Sequence, residues 1–354
     1  MRTSTTIKGA ATAALALGLM GAFAVAANAQ EDKKLRYKMH AAFASSLPVL
    51  GTAGKRIEQT IKEISAGSME FKHFEPGALV PAIAYYDPVQ AGSLDMAYGT
   101  PGYGVGKIPA LAYLTAVPFG PNFGEFHAWI KYGGGKQLYD EMYESIGLRG
   151  EICGSIPPEA SGWFRKEIKS LDDLKGLKMR FFGLGAKVME KFGVSTQLMA
   201  GGDIYPALEL GAIDATEFSM PSIDEGLGFF QVAKHYYFPG WHQPASTGDI
   251  IFPKAKYDAM SKQQKDWIRV MCGYQIVEEF IDGERQQPAA MARMKAKGVT
   301  VHKWPDETLA KLEAAWKQVA AEESAKDPVT KKVAESYSKY RAEFAIWKDH
   351  GYLK

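Results

Sequence analysis

Two periods of apolar residues divide the chain into strands and helices. Leu35-Arg36-Tyr37-Lys38-Met39 alternates in the manner of a half-buried strand. Leu50, Ala53, Ile57, Ile61 and Ile64 then recur at helical spacing across 48–65, and Gly67 closes that helix. Met69 to Phe74 alternates again. A β-α-β opening of this kind predicts an open α/β sheet. The same pattern predicts strands near 96–98, 148–153, 178–182 and 215–218, and helices over 184–192 and 261–286, the second long enough to cross between domains. From Asp306 onward Leu309, Leu312, Trp316 and Val319 are spaced helically in an Ala-, Lys- and Glu-rich segment.

Two segments resemble each other. Tyr86 to Tyr98 (YDPVQAGSLDMAY) and Tyr205 to Phe218 (YPALELGAIDATEF) share an order of features: Tyr and Pro near a helix start, a short helix, a Gly that ends it, an aliphatic residue, an Asp and a strand. The Gly-x-x-Asp pieces are Gly92 to Asp95 and Gly211 to Asp214. The duplication points to two similar α/β lobes, each lending a strand end to a shared cleft.

Residues 1–29 read as a cleaved secretory leader. Arg2 and Lys8 precede an Ala/Leu/Gly/Val-rich stretch, and Ala27-Asn28-Ala29 is a small-residue cleavage site. No other stretch is long and apolar enough to span a bilayer, so a soluble, exported chain is expected. The chain carries 42 Lys and Arg against 40 Asp and Glu. Removing Arg2 and Lys8 with the leader makes the two equal, which argues against nucleic acid and against anionic lipid surfaces. Cys153 and Cys272 lie in apolar contexts and are expected to be buried free thiols. Hydrolase, zincin, redox and EF-hand motifs are missing; GYGVGK (102–107) and GGGK (133–136) do not complete a nucleotide loop. The seven His are scattered singly.

Arg180 is the residue out of place, a cation in the apolar run 177–182 that turns at Gly183. A strand, a glycine and a helix start form a β-turn-α junction at a strand's carboxyl end, where open α/β sheets bind ligands. The planar guanidinium fork suits a carboxylate. The other reading is an internal salt bridge to Glu217 or Asp214.

From Leu35 onward the chain resembles the periplasmic solute-binding subunits of tripartite ATP-independent periplasmic (TRAP) transporters, the DctP family. GWFRKEIKSLDDLKGLKMR (162–180), YPALELGAIDATEF (205–218) and YYFPGW (236–241) carry the resemblance. It implies an α/β fold of two lobes with the ligand cleft between them, crossing strands and a long connecting helix. The expected division is 30–155 with about 246–285 in one lobe, and 156–245 with about 286–354 in the other. The resemblance also implies a periplasmic location, delivery to TRAP membrane subunits, and Arg180 on the carboxylate of a small organic acid. VPFGPN (117–122) further resembles the subgroup that binds α-keto monocarboxylates, in which a cation bridges protein and substrate. It points to Glu159, Glu217, Phe218 and Gln243 as ligands of one Na⁺ or Ca²⁺ ion, oxygen donors being suited to hard cations. Substrate contacts are then expected from Arg180, Glu159, Phe218, Tyr103, Trp163 and Trp241.

The chain departs from that subgroup. Phe218 replaces a Trp, His242-Gln243 replaces a Trp-Glu pair, and 99–106 has Gly where aromatics are usual, so an enlarged or reshaped pocket is expected, for a monocarboxylate that is either 2-oxo acid-like or bulkier. Rival readings are a secreted enzyme using Glu159 or Glu217 as base and a sensor for a receptor kinase. Monomer and homodimer stay open.

Overall fold

The computed structural model describes residues 34–353; the leader expected over 1–29 lies outside them. Among the described residues the eleven strands are β1 Leu35–Ala41, β2 Met69–Phe74, β3 Met96–Gly99, β4 Leu148–Ile156, β5 Gly162–Phe164, β6 Lys178–Arg180, β7 Ser195–Gln197, β8 Ala215–Thr216, β9 His235–Phe238, β10 Ser246–Pro253 and β11 Thr300–Lys303. They form a five-stranded sheet in the order β2-β1-β3-β10-β4 and a six-stranded sheet in the order β11-β9-β5-β8-β6-β7.

The two sheets contain one repeated unit. In the first, β1 leads through helix Leu50–Ile64 to β2 and returns to β3, with β1 parallel to both. In the second, β6 leads through helix Leu184–Glu190 to β7 and returns to β8, with β6 parallel to both. The similarity between 86–98 and 205–218 is the closing third of this unit. Gly92 and Gly211 both adopt positive φ (76° and 72°) where the helix stops, a region open to Gly at little cost. Three residues later Asp95 accepts a hydrogen bond from the Lys38 N–H (3.0 Å), and Asp214 accepts one from the Lys178 N–H (2.9 Å). Each Asp thus ties its strand to the central strand of its own unit.

The sheets are joined by two strand-to-strand segments and one helix. β4 and β10 run antiparallel over their whole lengths, from Pro253↔Leu148 to Ser246↔Ile156. Beyond that last pair, 157–161 continues into β5 and 239–245 arrives from β9. These two crossings run side by side: the Glu159 N–H donates to the Gln243 carbonyl at 3.4 Å, and the Ser161 N–H to the Tyr237 carbonyl at 2.8 Å. The long helix is Lys262–Ala296, ten residues longer at its C-terminal end than the sequence pattern predicts, with Pro288 inside it. Its start is fixed by a capping box, Ser261 with Gln264.

The expectation of free thiols is overturned: Cys153 of β4 and Cys272 of the long helix form a disulfide. Both side chains are buried, as expected, but strand and helix pack directly on each other and bring their Cα atoms to 4.2 Å. The last helix, Pro328–Gly351, sets Tyr337 edge-on to Tyr113 and Trp129 and sends Arg341 to Glu125, so it lies on elements that follow β3. No helix among the described residues is long and apolar enough to cross a membrane.

Candidate ligand-binding site

A cavity of about 20 Å³ lies where the crossings meet the two β-α junctions. Phe43 and Phe182 each stand two residues past the end of the equivalent strand, β1 and β6, and both line the cavity. Thr100, Tyr103, Arg180 and Phe218 line it from the strand ends, and Glu159, Gln243 and Ser246 from the crossings or their edge. The volume is enough for about one water molecule. The two antiparallel crossings that join the sheets run beside it.

Arg180 is 1% exposed and is held on three sides. Its Nη1 donates to Glu217 Oε1 and to the Glu217 carbonyl, each at 2.8 Å, and its Nε donates to the Met199 carbonyl at 3.3 Å. Of the two open readings of Arg180, the internal salt bridge is present. The internal partner is Glu217 and not Asp214, whose carboxylate is bound to the Lys178 N–H. Nη2 has no protein partner among the described residues, and Arg180 still forms part of the cavity wall. The Phe218 ring lies 5.0 Å from the guanidinium carbon and the Phe182 ring 6.0 Å, both within cation–π range. The junction's N–H groups are partly used as well, since the Phe182 N–H donates to Glu217 Oε1.

Glu159, Glu217 and His242 converge beside this arginine and are all buried. Ser219 Oγ donates to Glu159 Oε1 at 2.9 Å. His242 Nε2 sits 3.5 Å from Glu217 Oε2 and 3.7 Å from Glu159 Oε2. Burial pushes the Glu159 carboxyl up to about 7, against the opposing pull of His242 and Ser219. Burial also raises Glu217, but Arg180, His242 and the Phe182 N–H outweigh it and hold that carboxyl below its ordinary value. Burial lowers His242, and the two carboxylates more than reverse this, to about 9. Tyr103 is pushed up to about 12 by burial, with Arg180 opposing; its hydroxyl has no protein partner among the described residues and stays a candidate donor.

Of the eight residues singled out in the sequence, Arg180, Glu159, Phe218, Tyr103 and Gln243 reach the cavity, and Glu217 sits one hydrogen bond behind it. The two tryptophans do not. Trp163 donates from Nε1 to Asp224 Oδ2 (2.9 Å) and stacks on Tyr236, while Trp241 stacks on Phe119 and tilts against Phe181. Of the two outcomes expected from Gly99 to Gly106, the wall at Gly102 is reshaped and not enlarged. A Cβ on Gly102 would lie 2.0 Å from Phe182 Cζ, so the glycine makes room for a ring from the opposite junction. Phe43 and Phe182 were not anticipated; the signal for them is the equivalence of the two β-α junctions.

A cation fits behind the cavity. Glu217 Oε2 and both His242 ring nitrogens are buried with no hydrogen-bond partner, and one donor atom from each of Glu159, Glu217 and His242 lies within 4.8 Å of the others.

Comparison with known proteins decides the family. Residues 40–327 match the family of bacterial extracellular solute-binding proteins, family 7, DctP. The chain belongs to this family. It is a solute-binding receptor of the TRAP transporter type and not an enzyme, and the carboxylate-processing alternative finds no support. The DctP chain is 33% identical over 318 residues to the monocarboxylate 2-oxoacid-binding periplasmic protein of Nostoc sp., covering 88% of this chain and 86% of the relative. Among solved structures it is similar to a TRAP solute-binding protein from Bordetella bronchiseptica with copurified calcium and picolinate in its active site: TM-score 0.87, 32% identity, 89% of this chain and 94% of that one. A second, from Pseudoalteromonas atlantica with bound sodium and pyruvate, superposes with TM-score 0.85 at 29% identity, covering 89% and 96%. A third, from Colwellia psychrerythraea, holds calcium and pyruvate and gives TM-score 0.85 at 29% identity, covering 90% and 97%.

Proposed function

We propose that this DctP protein captures a small monocarboxylate of the 2-oxo acid class in the periplasm, after loss of residues 1–29, and hands it to TRAP membrane subunits. The reading is carried by Arg180, a buried guanidinium locked to Glu217 with Nη2 left over at the wall of the cavity. A carboxylate there gains charge-assisted hydrogen bonds without the entropy cost of ordering the arginine. Relatives that share the fold bind pyruvate or picolinate beside calcium or sodium. In this chain Glu159, Glu217, Gln243 and the Phe218 carbonyl are the groups to hold a cation, which supplies positive charge opposite the arginine. The lobes follow the sheets, with 157–161 and 239–245 as the hinge. A homodimer is part of the same proposal: Ile346 and Trp347 stand exposed near the end of the last helix, and the Bordetella relative was crystallised as a dimer.

A thermal-shift panel tests the reading, because a ligand that binds only the folded state raises the unfolding temperature. Pyruvate, longer 2-oxo monocarboxylates and picolinate are expected to raise it, and dicarboxylates of similar length are not. A larger shift with dicarboxylates overturns the ligand class.

A further inference from the structure

The donor set behind the cavity differs from an all-oxygen site in one respect, His242. Three segments distant in sequence bring it together: the crossing after β4 carries Glu159, the turn after β8 carries Glu217, and the crossing before β10 carries His242. Each carboxylate is oriented by one oxygen and offers the other. Glu159 Oε1 is held by Ser219 and Glu217 Oε1 by Arg180, while Glu159 Oε2 and Glu217 Oε2 face His242 Nε2. Such outer hydrogen bonds are the usual means of fixing metal ligands. Glu217 Oε2 and His242 Nε2 are fully buried and make no hydrogen bond, a state that costs free energy unless another group completes it.

The distances discriminate between occupants. Carboxylate and imidazole ligands at about 2.0–2.2 Å from one ion stand roughly 3–3.5 Å apart on a face of its coordination shell. The observed 3.5 and 3.7 Å need only a slight contraction. A proton shared between His242 and either carboxylate calls instead for about 2.7–2.9 Å. Charge is compatible with this. Two carboxylates and a bound monocarboxylate against Arg180 and a protonated His242 leave one negative charge in a buried site; a divalent ion that takes the place of the His242 proton leaves none, and a sodium ion in its place still leaves one. Imidazole nitrogen is a ligand for zinc and its first-row neighbours, whereas calcium and sodium prefer oxygen alone.

We propose that Glu159, Glu217 and His242 form a binding site for a divalent first-row transition ion, zinc or manganese, to which the captured acid adds its own oxygens. The acid's part in this rests on the monocarboxylate reading above; the metal's part does not.

The test is calorimetric titration of chelator-stripped, full-length mature protein with Zn²⁺, Mn²⁺ and Ca²⁺ chlorides, with and without pyruvate, on wild type, His242→Phe and His242→Glu. The expected result is one Zn²⁺ or Mn²⁺ per chain in wild type, bound at least about tenfold more tightly than Ca²⁺. In His242→Phe that binding is lost, and in His242→Glu the preference turns to Ca²⁺. Circular dichroism confirms that each variant is folded; should His242→Phe fail to fold, His242→Glu alone decides through the reversal. Calcium equal to or tighter than zinc in wild type, or zinc affinity unchanged in the folded variants, overturns the proposal. Pyruvate binding without any metal overturns it too, yet leaves the solute-binding reading standing. Metal binding without any monocarboxylate binding supports the metal site and removes the acid from it.

Discussion

Arg180 and Glu217 show how one residue pair serves folding and binding together. A buried carboxylate left without its cation costs about 3–5 kcal/mol, so Arg180→Ala removes fold stability along with any ligand contact. A lysine keeps a cation for Glu217 and gives up the fork. The aromatic wall is equally constrained at residue scale. Gly102→Ala puts a methyl group into the Phe182 ring, and overpacking of this kind costs about 1–3 kcal/mol. Chemical denaturation is expected to show that loss in the single variant and much less of it when Gly102→Ala is made in a Phe182→Leu background. Equal losses in both backgrounds would mean that the ring is not the obstacle.

At the scale of elements, what the sequence made legible follows local periodicity. β1, the first helix and β2 are readable because alternation and helical spacing are uninterrupted there, and β2 falls on Met69 to Phe74 as the pattern predicts. The duplicated Gly-x-x-Asp pieces were readable because each Asp does the same job in its own sheet. The crossings were not, since 157–161 and 239–245 have neither period and owe their course to the long β4–β10 pairing. Hence Glu159 could be named as a candidate only through family resemblance, while His242, although beside Gln243, had no visible partner. The disulfide was hidden for a similar reason: Cys153 and Cys272 are 119 residues apart and meet only because the long helix packs on β4. A cross-link over so long a loop restricts the unfolded chain strongly. Cys272→Ser is expected to lower the urea-unfolding free energy by about 2–4 kcal/mol while leaving ligand affinity within a factor of a few, because neither sulfur lines the cavity.

For the whole molecule, stability is set to depend on pH through buried acids in both lobes. Burial lifts Asp224 and Asp249 to about 7 and Glu279 to about 8, more than the Trp163, Tyr143 and Gln275 donors restore. Their folded values lie above those of exposed acids, so between about pH 4 and pH 8 the folded chain holds protons that the unfolded chain has released. The stability they contribute is therefore complete below about pH 4 and is lost as pH rises through 7 to 8. Ligand-free protein is expected to melt at progressively lower temperature from pH 5 to pH 8.5, with a shallower slope in Asp249→Asn and Glu279→Gln. A melting temperature that climbs over this range contradicts the assignment.

Ligand capture by the receptor turns on a carboxylate meeting the guanidinium at the junction of β6 and its helix. Isothermal titration of pyruvate into wild type and Arg180→Lys, at one pH and with the metal content fixed, measures that contact. The expected result is one site per chain in wild type and an affinity lower by at least about tenfold in a folded Arg180→Lys, a loss of about 1.4 kcal/mol. Pyruvate bound equally well by both would show that the acid is held somewhere other than Arg180.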